Sequence, residues 1–210
     1  MNNRIVFLLF AISFFLLQSL SAQRTIELGF DASTLITGFF NEDKIISDYP
    51  LIVKFRNEKK SRAMRFGIGA TFDRAYLDDP TNNVATTNTY QNYRFRVGFE
   101  KNKELIKKLD VIYGLDLVGS FQLNQSILDS SAPLSKLTNT FYGVGGGPIF
   151  GLHYKINKNF SLSTEMTLYF VAGLERQVLT NGDDDNVTRN GLFYSLETAP
   201  PTALYIIYRI

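Results

Sequence analysis

The sequence of 210 residues predicts an all-β protein, an eight-stranded antiparallel up-and-down transmembrane β-barrel. Three observations predict this fold. Apolar and polar residues alternate with a period of two in eight segments, as they do in strands with one polar face. The connections between these segments are alternately short and long. Beyond the N-terminal region no apolar stretch is as long as a membrane-spanning helix, and a closed barrel is the other backbone arrangement that crosses a bilayer.

The N-terminal region has the pattern of a cleaved export signal. Arg4 supplies a positive charge, an apolar run extends from Ile5 to Leu17, and small residues end at Ala22. The run is shorter than the roughly 20 residues that a transmembrane helix needs. We therefore predict that residues 1–22 are a signal peptide and that residues 23–210 form one exported domain. The alternative is an N-terminal anchor that is retained.

Eight segments carry the alternation, and each is justified by the apolar residues on one of its faces. The predicted strands, with these residues in parentheses, are Thr25–Ser33 (Ile26, Leu28, Phe30), Leu51–Arg56 (Leu51, Val53, Phe55), Met64–Asp73 (Met64, Phe66, Ile68, Phe72), Thr89–Glu100 (Tyr93, Phe95, Val97, Phe99), Leu109–Phe121 (Leu109, Val111, Tyr113, Leu115, Leu117), the glycine-rich Thr140–Tyr154, Phe160–Val171 (Phe160, Leu162, Met166, Leu168, Phe170) and Thr202–Ile210.

The connections are sorted by length. Those at 57–62, 101–108 and 155–159 are short, whereas the others are long and rich in Asp, Asn, Ser and Thr. The long connections are predicted at 34–48, 74–88, 122–139 and 173–200. Tight periplasmic turns and longer outward loops are typical of an outer-membrane barrel. An even number of strands then places both chain termini on the periplasmic side.

The position of two arginines determines which face of the sheet points outward. Arg94 and Arg96 lie near the middle of their strand and alternate with Phe95 and Val97. An arginine turned toward lipid at the bilayer midplane would cost roughly 2–4 kcal/mol. We therefore predict that the apolar face contacts lipid and that the charged residues point into the barrel.

Eight strands enclose a lumen that side chains about fill. Counting back from the short turns places Phe99 opposite Leu109, Tyr154 opposite Phe160, Asn92 opposite Asp116 and Arg94 opposite Gly114. We predict a structural ion-pair cluster of Arg94, Arg96, Asp116 and Glu165, with glycines making room for the arginines; the alternative is the selectivity lining of a small pore. The predicted lumen residues are Arg65, Asp73, Arg94, Arg96, Asp110, Asp116 and Glu165, together with Gly67, Gly69, Gly98, Gly114, Gly143, Gly145 and Gly147.

Four segments resemble the porin-like small outer-membrane β-barrel family of Bacteroidetes, the outer membrane protein beta-barrel domain. They are 111–120, 143–152, 156–165 and the terminal strand 203–210. The resemblance implies a surrounding of outer-membrane lipid and lipopolysaccharide. It also implies that the C-terminal strand is recognised by the barrel-assembly machinery, although the family usually ends in phenylalanine and this chain ends in Ile210. The family has no shared catalytic residues.

Composition excludes several functional classes. The chain has 22 basic and 20 acidic residues, so its charge gives no reason to expect nucleic acid. It has no cysteine and one histidine, which excludes thiolate and histidine-cluster metal sites. No cofactor is predicted.

His153 is the residue that suggests an enzyme. It is predicted to lie opposite Ser161, with Ser163 and Glu165 farther along the same inner face, and some lipid A deacylases use these residue types on a small barrel. The chain has no G-x-S-x-G motif, and the three residues are predicted to point away from lipid. We predict a lumen histidine held by hydroxyl groups and no catalytic residues.

The sequence thus predicts a non-enzymatic integral protein of the bacterial outer membrane with an occluded polar lumen. Its expected role is structural, with surface interactions made by the outward loops, and the sequence identifies no external partner. A narrow passive channel is the first alternative, and a lipid A-modifying enzyme is the second. A soluble periplasmic barrel with an apolar interior would require the opposite orientation of the two faces.

Overall fold

The fold is a closed antiparallel β-barrel in which each strand pairs with its neighbours in sequence and the last strand pairs with the first. The computed structural model describes residues 24–33, 48–79, 84–129, 135–181 and 185–210. The predicted signal peptide lies outside them. The strands are β1 Arg24–Asp31, β2 Leu51–Asn57, β3 Arg62–Asp79, β4 Val84–Ile106, β5 Leu109–Asp129, β6 Ser135–Lys155, β7 Phe160–Asn181 and β8 Asp185–Arg209.

The predicted all-β fold, an eight-stranded antiparallel up-and-down barrel, is therefore confirmed. A short 3-10 turn, Glu58–Lys60, joins β2 and β3. Among the described residues, no helix is long and apolar enough to cross a membrane.

The two faces of the sheet point as the alternation predicts. In β4, the side chain of Phe95 is 61% exposed on the outside, whereas that of Arg96 is 2% exposed on the inside. In β3, Ile68 is 61% exposed and Arg65 is fully buried. The predicted orientation, with apolar residues outside and charged residues inside, is confirmed.

Six strands are longer than the sequence pattern predicts. Strands β3 to β8 contain 18 to 25 residues, and they continue through most of the predicted loops 74–88, 122–139 and 173–200. The prediction of loops there is wrong because polar side chains on both faces remove the alternation without breaking the backbone ladder. Most of the remaining predicted loop, 34–48, lies outside the described residues.

The hairpin registers also differ from those predicted. Strand β4 continues to Ile106 and turns at Lys107 and Lys108, and a bulge at Leu105 shifts the register by one residue. Phe99 therefore pairs with Leu115 rather than with Leu109. In the same way Tyr154 pairs with Leu162 rather than with Phe160. Both errors are an even number of residues, which preserves the face on which each side chain lies.

The first two strands close the barrel near its short-turn end. Strands β1 and β2 contain eight and seven residues, and β1 pairs with β8 only from Glu27 to Asp31. Farther out, β8 contains a bulge at which the three residues Pro200, Pro201 and Thr202 lie opposite Met166 alone. Proline is tolerated at such a position because the ladder is already interrupted there.

Candidate functional site: a charged network inside the barrel

The barrel interior holds a continuous network of ion pairs. Its members occupy inward-facing positions on seven of the eight strands, so the alternation of each strand alone brings them inside. They are Glu27 on β1, Lys54 and Arg56 on β2, Arg65 on β3, Arg96 and Glu100 on β4, Asp116 on β5, Glu165 on β7 and Arg209 on β8. We call this set the lumen network.

Arg65 is the centre of the lumen network. Its guanidinium group is fully buried and approaches three carboxylates: Nη2 lies 2.8 Å from Glu165 Oε2, Nε lies 3.3 Å from Asp116 Oδ1, and Nη1 lies 3.3 Å from Glu100 Oε2. These carboxylates come from β7, β5 and β4 respectively. A single side chain therefore connects distant parts of the barrel wall.

Glu100 links the centre to the short-turn end. Besides Arg65, its carboxylate accepts hydrogen bonds from Lys54 Nζ at 2.8 Å and from Arg56 Nη2 at 2.7 Å. Arg56 also donates to both oxygens of Glu27, at 2.8 and 2.9 Å, and Arg209 Nη2 donates to Glu27 at 2.9 Å. The lumen network thus contains five cations and four carboxylates, and every charge in it has a partner of opposite sign.

Arg96 lies at the end of the lumen network that is farther from the short turns. Its Nη1 lies 2.5 Å from Glu165 Oε1 and 3.8 Å from Asp116 Oδ2, and its Nη2 donates to the Tyr205 hydroxyl at 3.3 Å. The guanidinium carbon lies 4.4 Å from the centre of the Tyr49 ring. A cation over an aromatic face adds attraction once both groups are removed from water.

The structure brings together Arg96, Asp116 and Glu165 of the four residues in the predicted cluster. Arg94 lies apart. It faces Ser120, not Gly114, and its Nη1 pairs with Asp48 at 2.6 Å and with Glu197 at 3.6 Å nearer the outward end. The predicted contact is wrong because, in the observed register, Arg94 lies opposite Ser120, farther from the short turns than Asp116.

Asp73 and Asp110, the two other predicted lumen carboxylates, lie outside the lumen network. Asp73 keeps its inward parity, but it lies so far along β3 that it is exposed. Asp110 is buried and accepts a hydrogen bond from Lys155 at 2.9 Å, separate from the lumen network.

Sequence reasoning missed five members of the lumen network: Glu27, Lys54, Arg56, Glu100 and Arg209. Each of them alternates with outward apolar residues, so strand parity alone carried the signal. Arg65 was predicted to line the lumen but not to join the cluster.

Glycines make room for the network, as predicted. A Cβ atom on Gly67 would lie 2.6 Å from Nε and 2.8 Å from Cγ of Arg96. A Cβ atom on Gly98 would collide with the Asp116 carboxylate. Only glycine fits at these two positions, because charged side chains occupy the space that a Cβ atom would need.

The lumen is less polar than predicted, because buried apolar side chains lie beside the charges. One apolar cluster consists of Tyr49, Val118, Ile149, Tyr169 and Val171. Val118 is the next inward-facing residue of β5 after Asp116, on the side away from the short turns. Tyr169 donates its hydroxyl hydrogen to Asp116 at 2.7 Å. A second cluster consists of Ile52, Tyr205 and Ile207. Apolar layers that cover ion pairs exclude water and strengthen the pairing.

His153 is buried, and its place in the ladder differs from the prediction. It pairs with Ser163 in the β6–β7 ladder, not with Ser161, and its Nδ1 atom has no hydrogen-bond partner in the described part of the chain. The Ser163 hydroxyl donates to the Leu152 carbonyl at 3.2 Å, and Glu165 pairs with arginines. The Ser163 hydroxyl therefore donates to the backbone and not to the imidazole. No group of three or more described histidine or acidic residues has the geometry to hold a metal ion.

Comparison with known proteins gives one structural likeness. The crystal structure of a major outer membrane protein from Thermus thermophilus superposes with a TM-score of 0.46 at 12% sequence identity, covering 89% of this chain and 98% of that chain. No protein-family model and no curated protein matches the chain. Membership of the Bacteroidetes porin-like family therefore stays a prediction.

Proposed function

We propose that this protein is an integral outer-membrane β-barrel with an occluded lumen, and that its role is structural and carried by its outward surface. The observation that carries this proposal is the distribution of side chains across the sheet. Large apolar residues face outward on all eight strands, while the nine charged residues of the lumen network pair inside.

The apolar exterior supports a membrane location. Soluble monomers rarely expose continuous apolar patches of more than a few hundred Å². Here the outward side chains on successive strands remain exposed, including Leu28, Ile68, Phe95, Leu115, Val144, Phe170 and Ile206. Hydrocarbon is the surrounding in which such a belt is stable, and a closed barrel leaves few backbone groups unpaired there.

Aromatic residues at two levels support the same conclusion. Phe121 contacts Tyr93 and Tyr142 with ring centres 6.1 and 5.2 Å apart, and near the short turns Phe160 contacts Tyr208 at 5.0 Å. Aromatic girdles mark the two interfaces of membrane barrels. In β6, the eleven residues 143–153 separate Tyr142 from Tyr154. A tilted strand crosses the hydrocarbon core with roughly 9–11 residues.

The long strands support a role at the outward surface. Because β4 and β8 contain 23 and 25 residues, they continue well beyond the segment that a bilayer would enclose. This extension carries polar side chains on its outer face, such as Thr89, Gln125 and Thr138. It presents a folded sheet, rather than loops alone, for contact with other molecules.

The filled interior supports an occluded barrel over a passive channel. An ion that crossed the barrel would have to displace Arg65 or Arg96 from carboxylates on three strands, next to the apolar cluster that contains Val118 and Val171.

Membrane fractionation of the expressed protein, followed by a heat-modifiability gel, tests the proposed location. We expect the protein in the detergent-extracted outer-membrane fraction, with different migration before and after boiling. A protein that is recovered in aqueous periplasmic extract without detergent would contradict the proposal.

A further inference from the structure

The mouth of the barrel at the short-turn end contains a basic cavity of about 340 Å³. The turn residues Lys107, Lys108 and Lys158 contribute to its rim, Lys155 and Arg209 to its wall, and His153 lies among the residues that line it. We call it the basic mouth. Arg209 belongs both to the basic mouth and to the lumen network.

The basic mouth has an excess of positive charge. Lys155 is paired with Asp110 at 2.9 Å, and Arg209 is paired with Glu27 at 2.9 Å. Lys107, Lys108 and Lys158 have no ion pair among the residues that the structure describes. Three flexible ammonium groups around one concave space can approach the same anion from different sides.

His153 gives a second, independent indication of a ligand. Its side chain is 1% exposed, and its buried Nδ1 atom lacks a hydrogen-bond partner within the described ranges. Buried polar atoms are nearly always hydrogen-bonded, so an isolated one in the lining of a cavity needs a partner. An oxygen of a bound anion would accept a hydrogen bond from the imidazole N–H.

We propose that the basic mouth binds a phosphate group, with the lysine ammonium groups around the phosphate oxygens and His153 as a neutral hydrogen-bond donor beneath them. Three unpaired cations favour a phosphate, which carries more than one negative charge, over a single carboxylate. The cavity volume lies in the usual range for small ligands, roughly 300–1,000 Å³. This site is independent of the proposed structural role.

Isothermal titration of the purified barrel in zwitterionic detergent with inorganic pyrophosphate tests the proposal. We expect saturable binding that weakens as salt concentration rises, since charge pairing is screened. The double variant Lys108→Gln, Lys158→Gln should weaken binding at least about tenfold, because each charge-assisted hydrogen bond contributes on that scale. The variant His153→Phe should also weaken binding while the barrel stays heat-modifiable.

The matched control is Lys59→Gln, Lys60→Gln. These lysines lie in the first short turn, at the same end of the barrel, but they do not line the basic mouth. We expect unchanged affinity in this control. Equal loss of affinity in both double variants would show a general surface attraction and would overturn the proposal, as would an absence of saturable binding. Either result leaves the membrane location untouched.

Competition identifies the source of the phosphate. The titration is repeated with the barrel in nanodiscs of phosphatidylglycerol and in nanodiscs of phosphatidylcholine. If only phosphatidylglycerol weakens pyrophosphate binding, the natural ligand is a lipid headgroup. If neither lipid competes, the natural ligand is a free phosphate-bearing solute.

Discussion

At the residue scale, Glu100 shows how a charge can be buried in the lumen. Transfer of a carboxylate from water into a protein interior costs several kcal/mol, and this cost is offset only by close partners and well-aligned hydrogen bonds. Glu100 has three cationic partners, Lys54, Arg56 and Arg65, within 2.7 to 3.3 Å. Loss of its single charge would therefore leave several buried cations with too few anions.

The variant Glu100→Gln should destabilise the barrel by roughly 3–5 kcal/mol, the usual effect of removing one partner of a buried pair. Urea unfolding in lipid vesicles, followed by the heat-modifiability gel, measures the change. Glu197→Gln is the control, because Glu197 lies 3.6 Å from Arg94 in a half-exposed pair. It should change the free energy of unfolding by less than about 1 kcal/mol. Equal effects of the two variants would contradict a buried network.

Gly67 tests the space that the network requires. Alanine at this position places a methyl group 2.6 Å from Arg96 Nε, so the arginine must move away from Glu165 and Asp116. We expect Gly67→Ala to reduce the free energy of unfolding by about 1–3 kcal/mol, as overpacking does. Gly191→Ala is the matched control, since a Cβ atom there has no neighbour within 4 Å. The same urea titration distinguishes them.

The sequence could predict which charges point inward but not which of them meet. Strand alternation correctly predicted that Arg96, Asp116 and Glu165 point into the lumen, because each alternates with apolar residues on the outer face. The partner of Arg94 depends on the β4–β5 register, which is set by the two-residue turn at Lys107 and Lys108 together with a bulge at Leu105. The apolar segment around Leu105 and Ile106 gave no sign that the strand continued there.

At the element scale, each strand from β3 to β8 has an apolar segment near the short turns and a polar segment beyond it. The alternation can be recognised in the sequence only in the segment near the short turns, because there one face is apolar and the other is polar. In the second segment, residues such as Asn88 and Ser126 bond to each other across the ladder, with Ser126 Oγ donating to Asn88 Oδ1 at 2.7 Å. Polar composition alone therefore could not distinguish an extended hairpin from a loop.

The boundary between the two segments can be located with arginine. Leu115 on β5 is 64% exposed and Tyr76 on β3 is 66% exposed, and both face outward, but Tyr76 lies farther from the short turns. We expect Leu115→Arg to lower the free energy of unfolding by roughly 2–4 kcal/mol, the cost of arginine at the bilayer midplane. Tyr76→Arg should lower it by roughly 0–1 kcal/mol, the cost near the bilayer interface. Urea unfolding in vesicles measures both. In a water-soluble barrel the two variants would be equivalent, so equal costs would exclude the membrane belt.

At the scale of the whole molecule, the lumen network and the ring closure occupy the same half of the barrel. Strands β1 and β2 close the ring near the short turns, and they also supply Glu27, Lys54 and Arg56. Arg65 then connects β3 through carboxylates to its neighbour β4 and also to β5 and β7, which share no backbone ladder with β3. Interior ion pairs thus join strands that no backbone ladder joins, and they do so where all eight strands are present.

A barrel braced in this way should not conduct. We expect the reconstituted protein to give no discrete conductance steps in planar bilayers, and liposomes that contain it to swell in small sugars no faster than protein-free liposomes. The physical reason is that Arg65 and Arg96 fill the space between β3, β4, β5 and β7, and moving either of them would leave buried carboxylates unpaired. A heat-modifiability gel of the same liposomes tests whether the reconstituted protein is folded, so that an absence of conductance is not caused by unfolded protein. Reproducible conductance steps from folded protein would instead identify a narrow passive channel.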